Sequence, residues 1–198
     1  MKKILMIAVM AIVAMTANAQ SNTMRDEGTI TIQPKIGIGF GVLSGSWEST
    51  NRDAKTRVGF LVGAEGEYYV NDWLGVAAGI NYAQQGWKWK VKSTGNKYTD
   101  KLDYLNIPIT ANFYVLPGFA LKAGAQFGFL LNAKDDGVDV KDKCKKFNFA
   151  IPVGLSYEYE NVVLDARYNI SVTKVNKDGS DKMRSDLIQI TVGYKFEL

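Results

Sequence analysis

Histidine is absent from the 198 residues. Its absence removes imidazole acid–base chemistry, imidazole metal sites and every Ser-His-Asp or Cys-His arrangement. Cysteine occurs once, as Cys144, so neither an internal disulfide nor a CxxC metal site can form. Proline stands at only 4 residues against 19 glycines, a balance that points to strands with close backbone approaches rather than to helices. No stretch approaches the ~18 uninterrupted apolar residues of a transmembrane helix. A closed β-barrel stays open as a way across a bilayer, because its signal is alternation rather than continuous hydrophobicity. With 46% hydrophobic and 22% charged residues, the chain is not of the disordered class.

The N-terminus reads as a leader. Lys2 and Lys3 precede an apolar run over residues 4–15, and Ala17-Asn18-Ala19 supplies a small-x-small cleavage pattern. The run is shorter than the ~20 residues that a spanning helix needs. Gln20, not cysteine, follows the cleavage pattern, which argues against a lipid anchor there. Removing Lys2 and Lys3 lowers the formal net charge from +4 to +2, so the basic balance says little about partners. The expected organisation is a cleaved signal peptide at 1–19, a short periplasmic segment at 20–28 and an outer-membrane β-barrel at 29–198.

What remains alternates with period two. In residues 30–42 the even positions carry Ile30, Ile32, Pro34, Ile36, Ile38, Phe40 and Val42; the odd ones carry Thr31, Gln33, Lys35, Gly37, Gly39 and Gly41. The same pattern recurs at 58–70, 74–82, 105–115, 119–131, 147–157, 162–172 and 188–198. Period two places each set on one face of a strand. Asn71-Asp72, Leu116-Pro117-Gly118 and Glu160-Asn161 read as tight turns. The intervening connections, 44–55, 90–103, 132–146 and 173–186, are long and polar. Strict alternation of short and long links predicts an all-β fold, an eight-stranded up-and-down antiparallel transmembrane β-barrel.

The faces decide between a membrane barrel and a soluble one. The apolar faces are bulky and uncharged, whereas the opposite faces collect glycines, which suit a cramped interior. The expectation is therefore apolar outside and polar inside. The inward set then includes Lys35, Lys122, Arg167 and Lys195 with Glu65, Glu67, Glu158, Asp165 and Glu197. Buried charge is costly unless paired, so these nine are expected to form a network that closes the lumen. An ion or proton path through them is the alternative, although eight strands leave an interior just filled by side chains.

Three segments carry a family resemblance. Tyr104-Leu105-Asn106-Ile107-Pro108-Ile109 resembles the "YLxIPL" strand of the PorT-like outer-membrane β-barrel family, abundant in Bacteroidetes. Asp165-Ala166-Arg167-Tyr168-Asn169-Ile170 resembles its "DxRYxxxL" strand, and Val192-Gly193-Tyr194-Lys195-Phe196 its closing "LGYKF" strand. The resemblance covers essentially the whole mature chain and implies an integral eight-stranded barrel. One member type is linked with a secretion apparatus, and the family supplies no catalytic residues to carry over.

The remaining signals are weaker. Without histidine, Glu65, Glu67 or Asp165 would have to serve as base, and structural pairing is the favoured reading; no enzyme activity, cofactor or metal is expected. Gly37-Ile38-Gly39-Phe40-Gly41 precedes no helix and is not a phosphate loop. The carboxylates in 134–139 and 177–181 lack the spacing of a calcium loop. Trp87-Lys88-Trp89-Lys90-Val91-Lys92 interleaves aromatics with bases. In an exported protein, Trp87, Lys88, Trp89, Lys90 and Lys92 are expected at the membrane boundary, in contact with lipid or lipopolysaccharide rather than nucleic acid. A bulge at Gln84-Gln85-Gly86 would change which way the tryptophans face. Expected partners are outer-membrane lipid and lipopolysaccharide, the barrel-assembly machinery during insertion, and an envelope or secretion protein.

Overall fold

A computed structural model describes residues 25–45, 52–91, 97–175 and 183–198, with the backbone alone at 52–54, 89–91, 97 and 143. The expected signal peptide at 1–19 lies outside the described residues. Eight strands follow in order: β1 Ile30–Ser44, β2 Arg52–Asn71, β3 Leu74–Val91, β4 Lys97–Leu116, β5 Phe119–Asp135, β6 Phe147–Tyr159, β7 Val162–Ser171 and β8 Arg184–Tyr194. Each pairs antiparallel with its neighbours in sequence, and β8 pairs with β1 to close the barrel. A two-residue strand, Val138–Asp139, folds back on β5, and Phe196–Glu197 continues the closing strand beside the start of β1.

The register fixes the tilt. One circuit of opposed residues runs Ile30, Tyr68, Val76, Ala111, Ala123, Val153, Tyr168, Ile188 and back to β1 at Phe40. The circuit returns ten positions further along β1 (40 − 30), which is the shear of the barrel. Eight strands with that shear tilt by about 40° from the axis. All the residues on the circuit belong to the outward set.

The apolar set does face outward. Ile36 is 66% exposed, and Val58, Phe60, Ile80, Ile109, Leu121, Leu164 and Val192 share that outer surface. So broad an exposed apolar belt would be a liability in water and is what hydrocarbon requires. Aromatic residues rim its turn end: Tyr68, Trp73, Phe113, Tyr159, Tyr194 and Phe196 are exposed, with Trp73 stacked on Phe113 and Tyr194 packed on Phe196. The turns are as tight as their composition implies. Glu160 and Asn161 both take positive φ, as does Gly118, and the β6–β7 turn is of the type that matches strand twist.

Strand lengths differ in a way that the apolar pattern does not foretell. β7, with 10 residues, covers about 25 Å along the axis, just the height of the apolar band. β2 and β4 have 20 residues each and reach about twice as far. Segments 52–55, 97–103 and 132–135, expected as loop, are strand, so the β2–β5 side of the wall continues beyond the membrane at the long-loop end. In that extension the outward residues are Lys88, Lys101, Asp103 and Lys134, while Trp87, Leu102 and Tyr104 point inward. Polarity has exchanged faces relative to the belt below, as the loss of hydrocarbon outside allows.

Candidate functional site: a filled lumen

The inward odd positions of β1, β2 and β7 and even positions of β4 and β5 converge because period two sends every second side chain into a narrow interior. At mid-height Lys35 from β1 donates to Glu65 at 2.5 Å, and Arg167 from β7 donates to both Glu65 oxygens at 2.6 Å. Arg167 also donates to Asp165 Oδ2 at 2.8 Å, and Lys122 from β5 reaches the same oxygen at 2.7 Å. Five charges from four strands thus share one layer, with three cations against two carboxylates. Glycine makes room for it: a Cβ on Gly79 would meet the Glu65 side chain, and one on Gly154 would lie 2.8 Å from Arg167 Cγ.

A second layer lies toward the short turns. Lys195 pairs with Glu67 at 2.9 Å and Glu158 at 3.0 Å and donates to the hydroxyls of Tyr69 and Tyr114 at 2.6 and 2.9 Å. Tyr114 in turn donates to Glu67 at 2.8 Å, and Asn112 does so at 2.7 Å. Arg25 completes this layer from the segment before β1. It donates to Glu158 at 2.6 Å, to Asn161 at 2.8 Å and to Glu197 at 2.6 Å. Burial works against its charge, but Glu158 and Glu197 outweigh that and hold its pKa above the usual arginine value.

Toward the long loops the polar filling gives way. Asn106 donates to Asn81, Asn148 to Ser171 and Asn169 to Gln189, forming a band of amides and hydroxyls. Beyond it β1 and β3 meet across the interior: a Cβ on Gly41 would run into the carbonyl of Gly86, whose φ of +120° only glycine adopts readily. Arg57 donates to the Gln85 carbonyl beside this contact. Above it Leu43, Trp87, Leu102, Tyr104, Leu130, Ala133 and Val175 form an apolar cap, with Val140, Cys144 and Met183 packed against it.

A family model described as outer membrane protein beta-barrel domain matches residues 18–177. The chain belongs to that family. Among solved structures, this outer-membrane barrel is similar to Ail, the attachment invasion locus protein of Yersinia pestis, at 18% identity and a TM-score of 0.50, over 86% of this chain and 99% of that one. It is similar to OprG from Pseudomonas aeruginosa at 14% identity and a TM-score of 0.53, over 89% and 99% of the two chains. Neisserial surface protein A gives 22% identity and a TM-score of 0.51, over 86% and 100%. These identities speak to the fold. No curated protein sequence matches. The family match ends before β8, the strand whose pairing with β1 closes the barrel here.

Eight of the nine residues expected in the lumen of this outer-membrane barrel are buried there: Lys35, Glu65, Glu67, Lys122, Glu158, Asp165, Arg167 and Lys195. Glu197 is a correction. Its side chain is 59% exposed: the closing strand keeps its register with β1, but Glu197, opposite Thr31, lies at the turn-end rim rather than inside the lumen. Trp87 is also a correction. It is 4% exposed inside the cap and not at the lipid boundary; β3 keeps its parity through Gln84-Gln85-Gly86, since its register with β4 runs unbroken there. Lys88 does face outward and is exposed. The side chains of Trp89 and Lys90, and the whole of Lys92, lie outside the described residues. Arg25 lies outside the alternating segments, and the pattern of alternation carries no signal for it.

Proposed function

We propose that this protein is a non-enzymatic, ion-tight outer-membrane barrel with a structural or surface role, carried by its outer wall and loops rather than by its lumen. The supporting observation is the triple closure of the interior by paired charge, by the Gly41–Gly86 contact and by the apolar cap. In this reading the signal peptide is cleaved, the short turns face the periplasm and the long-loop end faces outward, as in outer-membrane barrels generally. Ail, which shares the fold, is named an attachment invasion locus protein, which supports looking to the outer surface. The test is conductance of the purified, heat-modifiable barrel in planar bilayers. A silent bilayer is expected; steady conductance altered by Glu65→Ala or Arg167→Ala would establish the gated channel instead.

A second reading follows from the PorT-like resemblance, a role beside a secretion or envelope complex. The turn end favours it with exposed Asp26, Glu27, Asp72 and Glu160, an acidic rim suited to a basic periplasmic partner. Cross-linking through cysteines placed at 72 and 160, against the same experiment on the long loops, separates the two readings.

A further inference from the structure

We propose that Lys55, Lys88, Lys101 and Lys134 form a binding row for the phosphate groups of outer-leaflet lipopolysaccharide. All four are exposed on the outer face of the β2–β5 extension. Lys55 is directly opposed to Lys88 across β2 and β3, and Lys101 to Lys134 across β4 and β5. The two pairs join at the β3–β4 ladder, where Lys88 opposes Thr99 and Gly86 opposes Lys101, leaving Lys88 and Lys101 as diagonal neighbours. Four ammonium groups thus cross four consecutive strands at spacings of about 5–8 Å.

Like charges placed directly opposite on a sheet are destabilising unless an anion lies between them. Among the described residues none of the four lysines makes an ion pair with a carboxylate. Asp103 and Asp139 border the row among the described residues. Asp103 accepts from Asn132, and Asp139, opposite Lys134, accepts the Lys141 backbone N–H.

Depth identifies the occupant. On the same outer face the exposed apolar residues end at Val58 on β2 and Leu131 on β5, and Lys55 and Lys134 stand three positions beyond, brought to that face by a register shift in each strand. That is headgroup depth, where the polar zone adds roughly 5–8 Å beyond the hydrocarbon. A flexible lysine stem reaches from the wall into this zone with its charge outward. The proposal rests on the reading that the long-loop end faces outward, where the leaflet carries phosphorylated lipopolysaccharide.

The test uses the full barrel in phosphatidylcholine nanodiscs doped with bisphosphorylated lipid A, with retained lipid counted by native mass spectrometry. Retention should fall about five-fold for each lysine changed to glutamine, at Lys55, Lys88, Lys101 and Lys134 in turn, and should survive change to arginine. Lipid A stripped of phosphate should be retained no better than phosphatidylcholine. Equal retention by the four-fold glutamine variant, or of phosphate-free lipid A, overturns the row. Displacement of lipid A by millimolar inorganic phosphate would make it a free-anion site and overturn the lipid assignment. Heat-modifiable mobility in plain phosphatidylcholine shows each variant folded, and single Lys88→Gln and Lys101→Gln variants serve if the four-fold change does not fold. Labelling Lys88 and Lys101 on intact cells with an impermeant amine reagent tests orientation separately: labelling only after the outer membrane is opened would sink the outward reading.

Discussion

Glu65→Gln changes one charge and almost no volume, which makes it the sharpest probe of the mid-height layer. Glu65 accepts from Lys35 at 2.5 Å and from Arg167 through two contacts of 2.6 Å, so the substitution leaves Lys35, Arg167 and Lys122 facing Asp165 alone. Three buried cations against one carboxylate is the arrangement for which removal of one partner costs about 3–5 kcal/mol. Lys35 has Glu65 as its only ion pair among the described residues, so Lys35→Met added to Glu65→Gln returns the layer to its original net charge of +1. The double variant should therefore be less damaged than the sum of the singles by roughly 1–3 kcal/mol, the range measured for residues in one network. Urea unfolding in lipid vesicles, followed by tryptophan fluorescence and by gel mobility of unheated samples, reads both quantities. A loss below 1 kcal/mol for Glu65→Gln, or strict additivity, would falsify the claim that these charges act as one network.

Gly41→Val places a Cβ against the Gly86 carbonyl and should abolish the fast-migrating folded form, whereas Gly66→Ala, with no atom nearer than 3.8 Å, should leave it intact. Ile36→Arg, on the lipid face near the middle of β1, should destabilise the vesicle-inserted barrel by about 2–4 kcal/mol; a neutral result would mean that this face does not meet hydrocarbon. In single-tryptophan variants, brominated lipid should quench Trp73 strongly and Trp87 hardly at all, since one is exposed on the belt and the other lies in the cap. Arg25→Gln should cost about 1.5–3 kcal/mol through lost charged hydrogen bonds to Glu158 and Glu197. It should not open a current, because Lys195, Tyr69 and Tyr114 still fill that section; a conducting variant would show the N-terminal segment to be the plug.

The eight strands were legible because lipid and lumen make opposite demands on alternate residues. Leu105, Ile107 and Ile109 declare one face of β4, and Asn106, Thr110 and Asn112 the other. The upper halves of β2–β5 were not legible for the converse reason. On β4, past Leu105, the apolar residues Leu102 and Tyr104 occupy the inward positions and Lys101 and Asp103 the outward ones, so the hydrophobic set changes parity while the strand does not; β2 and β5 each add a register shift at this height. Alternation alone reads as interrupted there, and the interleaving of Trp87 and Trp89 with lysines points to the membrane boundary although Trp87 lies on the inward face. Arg25 escaped because it enters the lumen from outside any strand. Residue type foretold the lumenal charges, but which carboxylate meets which cation depends on the shear, and that emerges only once the barrel is closed.

Charge in this molecule cancels across layers rather than within them. The mid-height layer has one cation in excess, and the turn-end layer has Lys195 and Arg25 against Glu67, Glu158 and Glu197, one carboxylate in excess. Over these two layers the sum is zero only when Arg25 and the rim carboxylate Glu197 are both counted, and their contact ties the segment before β1 to the barrel. Paired, hydrogen-bonded charge beneath an apolar cap gives an ion neither easy entry nor easy release, and conduction needs both. Outside, among the described residues, lysines without an ion pair lie on the upper wall and carboxylates ring the short turns. Those outer surfaces can attract a charged partner over a Debye length, which is what the proposed surface role requires.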